Sequence, residues 1–345
     1  VMLNMKKLFL LFALSFVAII TSAQTGGLNN FQNLNAFYHA RTIGLGGDLI
    51  AVKDGDINLG LSNPALINAK MMGKGAINQS ILSGGATTGS LAYGKTIKNV
   101  TSSLNFRYIS YGKMTRTDIN GTETGTFSPG DFIIGASAAK NINERLHIGA
   151  TLNLLYSQLD NYTALGTSLT IGGAYTNEEK RLVVAGVIKN LGVTIKSYTG
   201  TREPLPLSVE IGVSKKLEHA PFRFSVTGQH LQRWDLSYVD PNQKNEIDPL
   251  TGDTIYVQRA SFAEKVARHL RFQTELLFGP KFHLRVGFDY QRRKELAATN
   301  RPGLAGFSFG TGMYFKRFTL DYGWLIYSAA GFQHAIAITI PIGKP

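Results

Sequence analysis

The sequence predicts an all-β protein, a transmembrane β-barrel of about fourteen antiparallel strands preceded by a segment of different character. Three observations carry that expectation. Downstream of about residue 75, apolar and polar residues alternate with period two, the mark of strands with two unlike faces. The alternating runs are around ten residues long. Strands of soluble domains run about five or six residues, whereas a tilted strand crossing a bilayer needs about nine to eleven. The links between runs are short and long by turns, as in a barrel whose tight turns share one rim.

Residues 282–291 (FHLRVGFDYQ) alternate without a fault. Leu207, Val209, Ile211 and Val213 alternate with Ser208, Glu210, Gly212 and Ser214, and Phe222, Phe224 and Val226 with Arg223, Ser225 and Thr227. Residues 146–156, 270–276, 307–315, 318–326 and 332–340 follow less strictly. Residues 98–99, 142–145, 279–281 and 316–317 are short links, 112–126 and 293–302 are long, and 232–269 is the longest. With both termini periplasmic and an even strand number, every long link falls on the outside.

The 345 residues carry 36 Lys+Arg against 23 Asp+Glu, a formal +13, with no cysteine and 37 glycines. Without cysteine, disulfide scaffolds and thiolate metal sites are excluded. Only residues 8–20 approach the apolar length of a helical span, so a polytopic helix bundle is excluded too. Lys6-Lys7, that apolar run and Thr21-Ser22-Ala23 form the three regions of a secretory signal peptide, expected over 1–23, against a retained N-terminal anchor. The excess of basic residues is scattered and the chain is exported, which argues against nucleic acid. Anionic lipopolysaccharide is the alternative partner beside ordinary rim and lumen charge.

If the apolar face meets lipid, Arg107, Glu210, Arg223, Arg271, Glu275, Arg285, Asp289 and Asp321 face the lumen, where opposite charges can pair. The competing reading is a solvated face of a soluble sheet. Tyr93, Tyr108, Tyr111, Tyr156, Tyr198, Tyr290, Tyr314, Trp324 and Tyr327 fall near strand ends, either as interfacial aromatics or as ordinary core residues.

Residues 24–75 lack the alternation. They hold Gly44, Gly46 and Gly47, then Asp54-Gly55-Asp56, then Asn63-Pro64-Ala65, where Asn-Pro favours a turn. The glycines follow no strand of a βαβ unit, so a phosphate loop is disfavoured.

A glycine-rich turn, a short acidic segment and Asn-Pro-Ala ahead of barrel strands resemble the FadL-like family of outer-membrane proteins, in which the N-terminal segment plugs the barrel. The resemblance divides the chain into a 24–75 plug and a 76–345 barrel with a long extracellular loop over 232–269. Residues 31–35 with Ala40-Arg41, and the strings at 262–278, 284–293 and 304–314, look like the PorQ-type members of the Bacteroidetes type IX secretion system. That likeness implies a non-catalytic protein of the outer membrane. It would anchor a surface attachment complex with PorZ-, PorU- and PorV-like partners that processes secreted cargo. The FadL-like plug implies instead a transporter of long-chain fatty acids or other hydrophobic molecules, and a cargo shuttle is a third reading. The C-terminal IPIGKP departs from the aromatic ending of many such barrels.

Gly306-Phe307-Ser308-Phe309-Gly310 matches the serine-hydrolase elbow in letters, but it lies within an alternating run and not at a strand-to-helix turn. The seven histidines lack ligand spacing, and residues 240–253 lack that of a calcium loop. Neither a metal nor a cofactor is expected. The long loop, with Trp234, Tyr238, Asp240, Asp248 and Tyr256, is the candidate partner contact, closed by a helical turn at 262–268.

Overall fold

The computed structural model describes residues 29–98, 100–238, 246–247, 254–255, 259–297, 303–328 and 330–343. The expected signal peptide lies outside the described residues, as do Asp240, Asp248 and Tyr256.

In chain order the strands are β1 (Lys74–Leu82), β2 (Thr87–Ile97), β3 (Val100–Ser110), β4 (Met114–Thr117), β5 (Glu123–Phe127), β6 (Gly130–Asn141), β7 (Leu146–Leu159), β8 (Tyr162–Asn177) and β9 (Leu182–Lys196). They continue with β10 (Ser208–Lys216), β11 (Phe222–Gly228), β12 (Glu246–Ile247), β13 (Thr254–Ile255), β14 (Leu270–Phe278), β15 (Phe282–Asp289), β16 (Phe307–Tyr314), β17 (Thr319–Ile326) and β18 (Phe332–Pro341). Fourteen of them close into one antiparallel barrel, while β4–β5 and β12–β13 form two small hairpins apart from it. The seam runs from Lys74 opposite Pro341 to Leu82 opposite Gln333. Closure leaves no unpaired edge, which hydrocarbon would not tolerate.

The alternation has a direct structural meaning. Ile77, Leu104, Leu152 and Ile211 are 60, 60, 55 and 55% exposed, while their chain neighbours Asn78, Asn105, Asn153 and Glu210 are buried. The outer face is therefore apolar and the inner face polar, the reverse of a soluble sheet. No helix among the described residues is long and apolar enough to cross a membrane.

The rim that carries the start of β1 and the end of β18 also holds the turns at 98–99, 142–145, 178–181, 217–221, 279–281 and 315–318. The opposite rim receives the long connections 111–129, 197–207, 229–269 and 290–306. Two connections are more ordered than the sequence suggests. The first contains the β4–β5 hairpin. In the last, the run expected to continue as strand to residue 291 stops at Asp289. The Asp289 carboxylate accepts from the Arg292 backbone N–H at 3.0 Å and caps a helix (Tyr290–Leu296), which alternation alone could not reveal. A helix also forms at Phe262–Arg268, with the Ser261 hydroxyl accepting from the Glu264 backbone N–H.

Inside the barrel lie residues 30–73, folded as α1 (Ala40–Gly44), α2 (Leu59–Ser62) and three 3-10 turns. The core sits between this segment and the inner wall. Leu45, Leu49, Val52, Ile57, Leu59, Leu66, Ile67 and Met71 cluster with Ala76, Ala92, Ala139, Ala174 and Ala185 of the strands. Phe31, Leu34 and Tyr38 pack with Ile109, Ile133, Leu155 and Leu205. Small wall residues make room for a whole segment, so the barrel has a packed core and not an empty bore. The first strand begins at Lys74, two residues before the expected boundary.

Candidate functional site: the occupied lumen

The glycines of the N-terminal motif are where backbone meets wall. A Cβ on Gly44 would lie 2.8 Å from the Gly310 Cα, closer than real side-chain atoms approach backbone. Gly46 and Gly47 take φ of 75° and 152°, in the left-handed range that glycine adopts at little cost. The turn ends α1 with the Gly47 N–H on the Thr42 carbonyl at 2.8 Å, in the manner of a glycine-terminated helix. A Cβ on Gly47 would collide with the Arg271 guanidinium. Gly310 belongs to the hydrolase-like string. In the structure that string enters β16 after Gly306, and its Ser308 hydroxyl lies beside Gly46.

Asn63-Pro64-Ala65 forms the second contact. The Asn63 side chain accepts from the Ala65 N–H at 3.0 Å and donates to the Ile50 carbonyl at 3.0 Å, so the residue caps the Pro64–Leu66 turn and ties it to the preceding chain. Proline at the first position of that turn lacks the N–H that would otherwise go unpaired. On the wall, side chains at Gly149 and Gly172 would overlap Pro64 and Asn63.

Each of the charged positions expected in the lumen points inward. Glu275 is 2% exposed and receives Arg41 at 3.0 Å, Arg223 at 2.6 Å and Arg285 at 3.2 Å. Arg41, from α1, also pairs with Asp54 at 2.9 Å and Asp56 at 3.2 Å, and Arg285 with Asp321 at 2.5 Å. One network therefore joins the segment to β11, β14, β15 and β17. Burial opposes the charge of Arg41, but Asp54 and Glu275 hold its pKa well above the usual value. Burial raises the Asp54 carboxyl, and Arg41 and Arg223 more than reverse this. Nearer the other rim, Arg271 pairs with Asp289 at 3.2 Å, and Arg292 stacks over Phe37 and Tyr327 at 5.4 and 5.5 Å. Arg107 donates to Asn153 at 2.7 Å and covers the Tyr38 ring at 5.5 Å.

Sequence reasoning missed a second ion-pair cluster. Lys189 reaches Asp48 at 2.5 Å and Glu210 at 2.9 Å. Lys189 and Asn190 are adjacent and both buried, because Asn190 takes φ 62° where the β8–β9 register shifts. Such a bulge turns two successive side chains to one face, so a strict period-two reading assigns one of them to the wrong side. Burial raises the Asp48 carboxyl, but the charge and hydrogen bond of Lys189 bring it down to about 2. His39, 2% exposed, is pushed by burial to about 4, against the opposing pull of Asp56 and Asp48.

Four of the aromatics placed near strand ends turn inward. Tyr111 donates to Asp131 at 2.7 Å, Tyr198 bonds Ser157, Tyr314 receives Arg285 at 3.1 Å, and Tyr327 lies under Arg292. Tyr198, Tyr314 and Tyr327 are half-buried and Tyr111 is 39% exposed, and the polar lumen gives each a polar or cationic partner. In the long connection, Trp234 and Tyr238 are 51 and 64% exposed, and Trp234 packs on Phe262 at 5.5 Å between ring centres. Among the described residues no group of His, Asp and Glu could hold a metal ion.

No family profile matches the chain, and no curated protein resembles it in sequence. Solved structures do share its fold. The toluene transporter TodX of Pseudomonas putida superposes with a TM-score of 0.52 at 13% identity, covering 88% of this chain and 96% of that one. A TodX deltaS2S3 mutant, described as a monoaromatic hydrocarbon channel, gives 0.50 at 12%, covering 88% and 97%. A FadL homologue of Pseudomonas aeruginosa gives 0.48 at 10%, covering 89% and 98%. At such identities the likeness concerns the fold: the closed fourteen-strand barrel expected from the sequence is an outer-membrane architecture.

Proposed function

We propose that the chain is an integral outer-membrane barrel that anchors a surface-exposed protein complex, its lumen closed by residues 30–73. The observation that carries this is the Arg41–Glu275 network. It fixes the interior segment to the wall through buried ion pairs, and breaking one buried pair costs about 3–5 kcal/mol. A wall held in this way suits a scaffold. The type IX secretion role adds to this reading the strings at 262–278, 284–293 and 304–314, and a PorZ-like surface protein would be the partner. Gentle extraction of intact outer membranes should co-isolate that protein. Deleting 236–258 should release it while the barrel still inserts, and a barrel that never brings down a surface protein ends this reading.

The second reading is passage of fatty acids or other hydrophobic molecules, and the comparisons favour it over anchoring, since TodX is a toluene transporter. Against it stands the polar inner wall, where Ser90, Asn105, Asn153, Glu210, Glu275 and Arg285 are all buried. Uptake or tightly bound lipid that is lost when the turn at Gly44–Gly47 is rigidified would establish transport. A purified barrel free of lipid, with no uptake, would remove it.

A further inference from the structure

On the short-turn rim a cavity of about 950 Å³ opens between the turns at 178–181, 217–221, 279–281 and 315–318, and its floor is the Arg41 network. Glu218, exposed on the turn at 217–221, is the one lining acid without an ion pair among the described residues, while the acids on the floor are already matched: Asp54 by Arg41 and Arg223, Asp56 by Arg41, and Asp321 by Arg285. Several cations around the mouth are not. Lys216, Lys316 and Arg317 line the cavity and make no ion pair or side-chain hydrogen bond among the described residues. Arg181 reaches only the backbone carbonyls of Leu217 and Glu218, and Lys74 only that of Gly55. Between the charges the lining mixes apolar side chains, among them Leu217, Pro221, Leu277, Phe315, Phe318 and Ile340, with polar ones such as His219, His283 and Tyr314.

The spacing of these cations selects a ligand. Lys216 ends β10 and Lys316 follows β16, and the barrel order between them is β10, β11, β14, β15, β16. Four steps at about 4.8 Å per strand separate the two groups by roughly 19 Å of wall. A single carboxylate or phosphate head spans a small part of that arc. An extended chain advances about 3.3 Å per residue, so about six residues would cross it. Anions must then be spaced along the ligand, with apolar side chains between them for Leu277 and Phe318.

We propose that this mouth is a docking site for an acidic peptide segment of a soluble partner protein, extended across the rim with its carboxylates on Arg181 and Lys216 at one end and on Lys316 and Arg317 at the other. Under the outer-membrane reading the partner lies on the side of the membrane where β1 begins. The binding itself depends on neither anchoring nor transport.

The test uses the full chain refolded in detergent and fluorescein-labelled octapeptides of alternating Glu and Phe, with a Lys-Phe peptide as control. Fluorescence anisotropy should show saturable binding of the acidic peptide alone, weakening as salt is raised. The triple variant K216E/K316E/R317E should bind at least tenfold more weakly. These side chains are exposed, Lys216 at the end of β10 and Lys316 and Arg317 on a turn, and retained heat-modifiable migration would show that the variant barrel is intact. A variant confined to the far rim, Lys294→Glu, should leave binding unchanged. The proposal is overturned if the acidic peptide fails to bind or if the triple variant binds it equally well. It is also overturned if inorganic phosphate at millimolar concentration displaces the peptide completely, because the site would then recognise a single anion.

Discussion

At the scale of single residues, Glu275 is the position on which most buried charge converges. It accepts from Arg41, Arg223 and Arg285, so its removal leaves three guanidinium groups each one carboxylate short. Glu275→Leu should therefore destabilise the protein by about 3–5 kcal/mol, read as a lowered urea midpoint in detergent micelles. Arg41→Leu in the same background should add less than it costs alone, because contacting residues are not additive. A Glu275→Leu barrel as stable as the parent would show that the network carries no weight. Gly44→Ala is a smaller perturbation of a different kind. Its methyl would sit 2.8 Å from the Gly310 Cα, and such overpacking costs about 1–3 kcal/mol. Faster proteolysis within residues 30–73, with the β-sheet circular dichroism signal unchanged, is the expected reading.

At the scale of the element, the interior segment is tied to pH by two groups whose folded values lie below their unfolded ones. Burial holds His39 at about 4 against an ordinary 6.5, so the opened segment binds more protons between those values and closure weakens as pH falls through them. Asp48, at about 2 against 3.8, adds a further loss of the same sign at lower pH. The protection of residues 31–72 against hydrogen exchange, taken relative to the intrinsic rate at each pH, should therefore fall from pH 7 to pH 4.5, and His39→Leu should flatten that dependence. An unchanged profile in the variant would assign the effect elsewhere. The segment is also where sequence reasoning reached least far. Each barrel strand advertises itself, because lipid and lumen demand opposite residues at successive positions, as at Leu152 and Asn153. The interior segment meets only protein, so its apolar residues follow no period. Its turns were legible at Gly46-Gly47 and Asn63-Pro64, but the pairing of Arg41 with Glu275 joins positions 234 apart, which local spacing cannot show. The helix after Asp289 and the inward Asn190 escaped for the opposite reason: a cap and a bulge each break a period that otherwise holds.

At the scale of the whole molecule, the question is what solvent the outer wall meets, and one pair of substitutions separates the answers. Leu152 lies within β7 and is 55% exposed, whereas Ile119 sits in the β4–β5 hairpin and is 100% exposed. In water both are surface positions, and arginine at either should change stability by less than about 0.5 kcal/mol. In a bilayer the two part company. An arginine on the lipid face near mid-depth costs about 2–4 kcal/mol and near the interface about 0–1, so Leu152→Arg should lower the unfolding midpoint in lipid vesicles while Ile119→Arg leaves it in place. A series that moves the arginine along outward positions of β7, from Ile148 through Leu152 and Leu154 to Tyr156, should give a cost that rises toward the middle of the wall and falls at both rims. The inward Thr151 and Asn153 obey a different rule, set by the packed interior segment and not by depth. Arginines tolerated equally along the whole outward row would mean that the apolar face is covered by something other than lipid.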